Sequence, residues 1–308
     1  MDTLTSREQA LVEIGGLLRD EGYRFITVTP ETHRRVNARA GAERAANLRD
    51  VFGWSRPFDA AMMPAPILAA LRRGELCSEH DGLLASHVRF STLGDGFYVH
   101  SAYPTTDENS VFFGPDTYRF CALLRREVAT AKRVVDLGCG SGVGGLCLSD
   151  RVERIVLADI NEVALSFARV NAHLAGVADR VELGLGDLFT NVHGDLDLVI
   201  GNPPYLVDPG HRVYRDGGGE LGTGLAVRIV REGLARLLEG GRLILYTGAP
   251  IVDGEDRFRA AIAPILDSRA ARWTYEELDA DVFGEELETP AYAAVDRIAA
   301  VAACATVA

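Results

Sequence analysis

Asn202-Pro203-Pro204-Tyr205 sets a carboxamide, two locked rings and an aromatic face side by side, directly after the apolar run Leu196 to Gly201. Two prolines donate no backbone hydrogen bond and hold φ near −65°, so the chain must leave any sheet here in a stiff, extended turn. The side-chain oxygen of Asn202 and the carbonyl of Pro203 are then two acceptors on a rigid mount. Two acceptors gripping both N–H bonds of a planar NH2 group orient its delocalised nitrogen, and they stabilise the positive charge that develops as it attacks carbon. Tyr205 adds a ring face for a planar amide or base. Rigidity matters because an error of about 1 Å in such an alignment costs about 10²-fold in rate. The bland alternative is a Pro-Pro strand stop with a packed tyrosine.

A second set of residues suits ligand binding. In VVDLGCGSGVGG, Gly138, Gly140, Gly142 and Gly144 make a strand-to-helix turn whose backbone can approach a ligand closely, beside a helix N-terminus. Gly140 to Gly145 also satisfies G-x-G-x-x-G, the dinucleotide pattern, which alone says little. Three acids sharpen it: Asp136 just before the glycines, Asp159 ending the next strand pattern, and Asp187 ending the third. One such acid is often a helix N-cap, but three at successive strand ends meet on the rim where open α/β sheets bind ligands.

The elements that must position these residues are legible from about Ala131 onward. Short β-rich runs (KRVVDL, RIVLAD, RVELGLGD, LDLVIG, RLILYTG, ARWTYEEL) alternate with helical stretches, among them GGLCLSDRV, NEVALSFARVNAHLAG, GLAVRIVREGLARLLEGG and DRFRAAIAPILDSRA. That alternation predicts a parallel sheet covered by helices on both faces. AYAAVDRIAAVAACATV reads as a long final strand. Residues 1 to about 105 differ: helical patterns run to about Gly74, then HVRFSTLGDGFYVHSAY predicts a hairpin around Gly94-Asp95-Gly96. TTDENSVFFGPD is a connector, and a helix follows with Asp116 as its N-cap.

Composition bounds the rest. The chain has 308 residues, 47% hydrophobic and 25% charged, as in ordinary globular proteins. No apolar run approaches the ~18 residues of a membrane span, and the acidic start lacks a signal-peptide pattern. The five cysteines (Cys77, Cys121, Cys139, Cys147, Cys304) form no C-x-x-C pair, so no zinc or other metal site is expected and a reducing cytoplasm is. A net charge of −12 disfavours broad gripping of nucleic acid, although Glu31 to Arg49 carries five arginines that form either a local patch or a solvated helical face.

Taken in order, Asp136-Leu137-Gly138-Cys139-Gly140-Ser141-Gly142, Asp159, Asp187 and Asn202 to Tyr205 resemble the motifs of class I S-adenosylmethionine-dependent methyltransferases, over roughly residues 112 to 250. The N-P-P-Y element is similar to that of the release-factor glutamine methyltransferases and of the exocyclic-amine nucleic-acid methyltransferases. The resemblance implies S-adenosyl-L-methionine as cofactor. Asp136, Gly138, Cys139, Gly140 and Gly142 would hold its methionine end, Asp159 with Asn161 its ribose, Asp187 with Leu188 its adenine edge. Asn202 would face both cofactor and acceptor, with Pro203, Pro204 and Tyr205 completing the catalytic set. A carboxylate rim agrees, attracting a sulfonium and an ammonium where it would repel a pyrophosphate. A dehydrogenase reading survives only if N-P-P-Y is structural.

The implied fold is a doubly wound, seven-stranded, mostly parallel sheet of Rossmann-like methyltransferase type, its last strand antiparallel. A smaller helical and hairpin domain (1–105) would recognise substrate, and 106–308 would bind the cofactor and catalyse. Gly114-Pro115-Asp116-Thr117 loosely resembles the glutamine-methyltransferase family's P-E-T element, with a shorter acid. That family's E-P-x-x-A-L stretch is absent; His211 to Val230 replaces it, with glycines that suggest a mobile loop or lid and with Tyr214 and Arg215 as candidates to face substrate. The acidic stretch Asp279 to Pro290 is expected to flank the acceptor. The expected acceptor is a protein glutamine amide, with a translation factor as partner; a nucleic-acid amine, a small metabolite or a peptide remain open, as does a cofactor-binding regulator without catalysis.

Overall fold

A computed structural model describes residues 3–105, 107–208, 210, 212 and 214–308. Thr106 in the connector, and Pro209, His211 and Val213 in or beside the glycine-rich loop, lie outside the described residues.

The chain opens with α1 (Ser6–Asp20), α2 (Pro30–Asn37), α3 (Leu48–Phe52) and α4 (Ala65–Arg73). Thr5 and Glu8 form a capping box that starts α1 by satisfying two otherwise orphaned N–H groups. Two hairpins follow, β1 (Cys77–His80) with β2 (Leu83–Ser86) and β3 (Val88–Leu93) with β4 (Gly96–Ser101). The second is the one expected around Gly94. The first was not expected from the sequence; its Asp81 and Gly82 both take positive φ, 49° and 74°, as a tight two-residue turn requires.

Then come α5 (Pro115–Glu127), β5 (Ala131–Leu137), α6 (Val143–Leu146), β6 (Val152–Asp159), α7 (Glu162–Leu174), β7 (Val181–Leu185), β8 (Leu196–Gly201), α8 (Gly224–Arg236), β9 (Leu237–Val252), β10 (Glu255–Asp256), α9 (Arg257–Arg269), β11 (Ala270–Asp279) and β12 (Arg297–Val307). The main sheet runs β11-β12-β9-β8-β5-β6-β7, with two-residue β10 pairing only with β9. β5 to β9 are parallel, and β12 is antiparallel to both neighbours. The order reverses between β5 and β8, which is where doubly wound sheets open a crevice.

Successive residues of the inner strands point to opposite cores. Val134, Ile155, Leu157, Ile200, Ile244 and Tyr246 pack beneath α5, α6 and α7. Val135, Val156, Val199, Leu243 and Leu245 pack beneath α8 and α9. Both faces are dry, so these strands read as continuous apolar runs. The alanines of β12 alternate in the same way between the two cores, and pairing along both edges overrides their helical propensity.

Three expectations need correction. Asp116 does not cap α5: Gly114 holds the cap position, Pro115 the first turn, and the Asp116 carboxylate is turned inward. The helix expected over GGLCLSDRV is a single turn, because two glycines follow Val143 and lower its propensity. The final strand begins only at Arg297, since Pro290 to Tyr292 form a short 3-10 turn.

α7 has two buried faces. Leu165, Ala168 and Ala172 lie on the sheet core, whereas Ala164, Phe167, Val170 and Leu174 join the core built by α1, α3, α4 and the two hairpins. Between them Asn171, fully buried, accepts from Val99 N–H at 2.8 Å and donates to the carbonyls of Val99 (3.0 Å) and Ser141 (2.8 Å). Each of these backbone groups, left unpaired in such a place, would cost about 1–3 kcal/mol. One amide thus joins the second hairpin to the glycine loop.

Candidate active site

A cavity of about 450 Å³ opens at the C-terminal ends of β5, β6 and β8. Of the residues assigned to cofactor or acceptor from the sequence, all but Gly142 line it. Gly138, Gly140 and Gly142 have φ of 64°, 54° and 80°, conformations that cost a side-chain-bearing residue energy. At Gly142 a Cβ would also lie 2.8 Å from Leu157. Gly142 therefore shapes the loop from behind, while Gly138, Cys139 and Gly140 form the cavity wall.

The acids differ sharply in surroundings. Asp136 is buried, and one oxygen accepts from Gly145 N–H at 2.8 Å. Burial first, then the neighbouring Asp159, pushes its carboxyl up to about 7, with the Gly145 N–H opposing. Asp159 ends β6 and accepts from Gly140 N–H (2.8 Å) and Asn161 N–H (2.9 Å); burial raises its pKa against those bonds. Asn161 caps α7 by accepting from Val163 N–H at 2.9 Å, and its Nδ2 holds the Asn109 carbonyl at 3.0 Å. Asp187 corrects the expectation of three strand-end acids. It stands two residues beyond β7, half exposed, in a salt bridge with Arg228 of α8 at 2.9 Å. Leu188 beside it is buried with φ of 47°.

Asn202, Pro203, Pro204 and Tyr205 leave β8 and enter the cavity without sheet pairing. Tyr205 is buried: its hydroxyl donates to Asp116 at 2.5 Å and its ring meets Phe283 edge-on at 5.8 Å. The glycines after it serve close packing. A Cβ on Gly217 or Gly222 would strike the backbone of Pro204 to Leu206 at 2.4–2.8 Å. The loop folds back over the cavity, where Tyr214 donates to the Thr105 carbonyl at 2.7 Å. Arg212 pairs with Asp208 at 2.6 Å, and Arg215 with Glu286. Tyr214 and Arg215 do line the cavity, as do Phe283 and Glu285 of the acidic stretch.

Asp116 and Phe112, which also line the cavity, were missed as site residues from sequence, and Phe283 was covered only within the acidic stretch Asp279 to Pro290. Only Asp116 had a signal, in Gly114-Pro115-Asp116-Thr117, and it was read as a cap. The Glu31–Arg49 stretch is not one helical face but two short helices with a loop between, and Arg34 and Arg35 both pair with Glu31. Among the described residues no group of His, Cys, Asp and Glu could hold a metal, all five cysteines are free, and no helix is long and apolar enough to cross a membrane.

Comparison with known proteins covers the same region. Residues 118–250 match the family described as Methyltransferase small domain. The chain is 30% identical over 188 residues to the release factor glutamine methyltransferase of Deinococcus radiodurans, covering 54% of this chain and 66% of that protein. It is 34% identical over 118 residues to the ribosomal RNA small subunit methyltransferase C of Chromohalobacter salexigens, covering 38% of this chain and 32% of that one. The chain thus spans between a third and two thirds of the length of these relatives. The crystal structure of the M. jannaschii tRNA m1G37 methyltransferase superposes with a TM-score of 0.51 over 72% of this chain and 57% of that one, at 17% identity, a likeness of fold. Residues 118–250 are thus a methyltransferase small domain, of the class I S-adenosylmethionine-dependent methyltransferases, on a sheet that shares its fold with the tRNA enzyme.

Proposed function

We propose that this chain transfers the methyl group of S-adenosylmethionine to a planar NH2 nitrogen, and that the nitrogen belongs to a glutamine side chain of a protein. One observation carries the reading: the rigid Asn202–Tyr205 tip and the glycine-acid loop face one cavity. The residues present fit the cofactor. Asp136 and Asp159 are buried carboxylates whose partners, among the described residues, are backbone N–H groups and no cation, so a cationic ligand is what would neutralise them. Asp136, Gly138, Cys139 and Gly140 would hold its methionine end, Asp159 and Asn161 its ribose, Leu188 its adenine edge. Asp187 would serve there by turning from Arg228. When bound, the cofactor supplies a methyl carbon activated by its sulfonium.

The remaining chemistry is the protein's. Asn202 Oδ1 and the Pro203 carbonyl accept the two N–H bonds of the acceptor, aligning its lone pair and stabilising charge on nitrogen. No deep general base is needed, because the nitrogen becomes acidic once alkylated. Nucleic acid is the poorer acceptor: the net charge is −12, and the cavity's cations Arg212 and Arg215 are already neutralised by Asp208 and Glu286.

The test is substrate capture. Cell lysate separated into protein, nucleic acid and small molecules is incubated with methyl-labelled cofactor, with a translation release factor as the first purified protein tried. Label is expected in protein and, after digestion, on glutamine. Label confined to nucleic acid or to small molecules would replace the glutamine reading.

Asp136 predicts a pH dependence. Its carboxyl, pushed up to about 7, is mostly neutral below that pH, and a cationic ligand favours the carboxylate. Binding therefore expels a proton, and affinity rises with pH by up to about tenfold per unit until it levels off above about 7. The same group acts oppositely on the fold. Its pKa is raised on folding, so its contribution to stability is complete below about pH 4 and lost as pH climbs through about 7. Calorimetry from pH 5.5 to 8, in buffers of different ionisation heat, reads both affinity and proton release; a flat affinity with no proton released would contradict the assignment.

A further inference from the structure

Prolines stiffen a chain but do not place it. Pro203 and Pro204 have no N–H to give to a neighbouring strand, and among the described residues the first backbone bond after β8 is Leu206 N–H to the Arg215 carbonyl at 3.2 Å. Something else must set where the Asn202–Tyr205 tip stands relative to the sheet. The buried carboxylate of Asp116, in the first turn of α5, is in position to do so. It accepts from the Tyr205 hydroxyl at 2.5 Å, from the Tyr246 hydroxyl of β9 at 2.8 Å and from Arg119 Nη1 at 3.0 Å. Arg119 Nη2 in turn donates to Asp279 at the end of β11, at 2.8 Å. One carboxylate thus joins α5, the tip, β9 and β11.

We propose that Asp116 is a positioning residue for methyl transfer, fixing the acceptor-holding tip by gripping the Tyr205 hydroxyl against Tyr246. The inference rests on the reading of Asn202 to Tyr205 as the acceptor site. A carboxylate is the group this junction needs, since three donors converge on two oxygens that carry no proton of their own to place. Burial first, and Asp116 second, hold the Tyr205 phenol well above its ordinary range, so it remains a donor at every working pH. Asparagine at 116 would keep the shape but offer one acceptor oxygen, turning an NH2 toward one of the two tyrosines.

The experiment is a double-mutant cycle of Asp116→Asn and Tyr205→Phe, with Asn202→Ala in parallel and the release factor as acceptor. Each single change is expected to lower kcat about 10- to 100-fold, with the S-adenosylmethionine Kd within about twofold of wild type. The double variant should lose no more than the worse single one, because both act through one bond. Losses that multiply would show Asp116 acting outside Tyr205 and overturn the proposal. If Asn202→Ala is inactive while Asp116→Asn turns over normally, the Asp116 inference alone falls. If Asn202→Ala keeps full turnover, the acceptor-site reading falls instead. Hydrogen exchange needs no acceptor: Asp116→Asn should speed exchange at the amides of Tyr205 and Leu206, and unchanged exchange there also overturns the proposal.

Discussion

Asn202→Ala is expected to bind S-adenosylmethionine within about threefold of the wild-type Kd and to turn over about 10²–10³-fold more slowly, the scale of losing one preorganised group at a site of developing charge. The asymmetry follows from where the residues stand. On the proposed reading, cofactor affinity draws on Asp136, Asp159 and the glycine backbone, which are set by β5 and β6 and, among the described residues, share no hydrogen bond with Asn202. Asn202 is half-buried at the end of β8, outside the strand ladder, so truncating it removes an acceptor without opening a core. Calorimetry and single-turnover transfer of labelled methyl separate the two quantities. A variant that loses cofactor binding and rate together would mean that the tip is part of the cofactor's cradle; one that keeps its rate would mean that the prolines merely end a strand.

Gly248→Ala should be nearly as damaging, although Gly248 lies far from the tip in sequence. A Cβ at that position would stand 2.2 Å and 2.5 Å from ring carbons of Tyr205. Neither partner can yield cheaply. Gly248 is paired with Ala300 within the sheet, and the Tyr205 ring is held by Asp116 and by the edge-on Phe283. The ring is driven from its place and the tip moves with it. Turnover is expected to fall about 10²-fold and stability by about 1–3 kcal/mol through overpacking. Denaturant midpoints and kcat, measured on one preparation, check both. Unchanged kcat would show that the tip tolerates displacement and would remove the case for its rigidity.

Much of the scaffold was legible in the sequence because it rests on short-range rules. Apolar runs alternating with helical stretches gave the parallel strands, and the glycines after Asp136 gave the loop. What escaped depends on contacts between distant segments. Asp116 follows a proline at a helix start, where caps are common, and nothing local says that its carboxylate reaches Tyr205, 89 residues away. Asp187 was placed correctly on the rim, but its pairing with Arg228 depends on how α8 packs. The glycines of the loop after Tyr205 looked like freedom. In the fold they allow two backbones to touch. Phe283 carries no mark beyond the acidic stretch around it; its φ of 57°, a strained conformation for a bulky residue, exists only in the folded cavity wall.

The two-faced α7 has a bearing on how this chain could be recombined with others. The segment that matches the family, 118–250, contains α7 but not the residues of 6–111 that cover Phe167, Val170 and Leu174, nor β11 and β12 that complete the sheet. Excised alone it would expose an apolar helix face and an open sheet edge, so it is not a portable cassette. A different front end would have to bring the same relief against α7 and a partner for the Asn171 amide. The interior side of residues 6–111 is therefore tied to α7 and, through the Asn171 amide, to the glycine loop behind it.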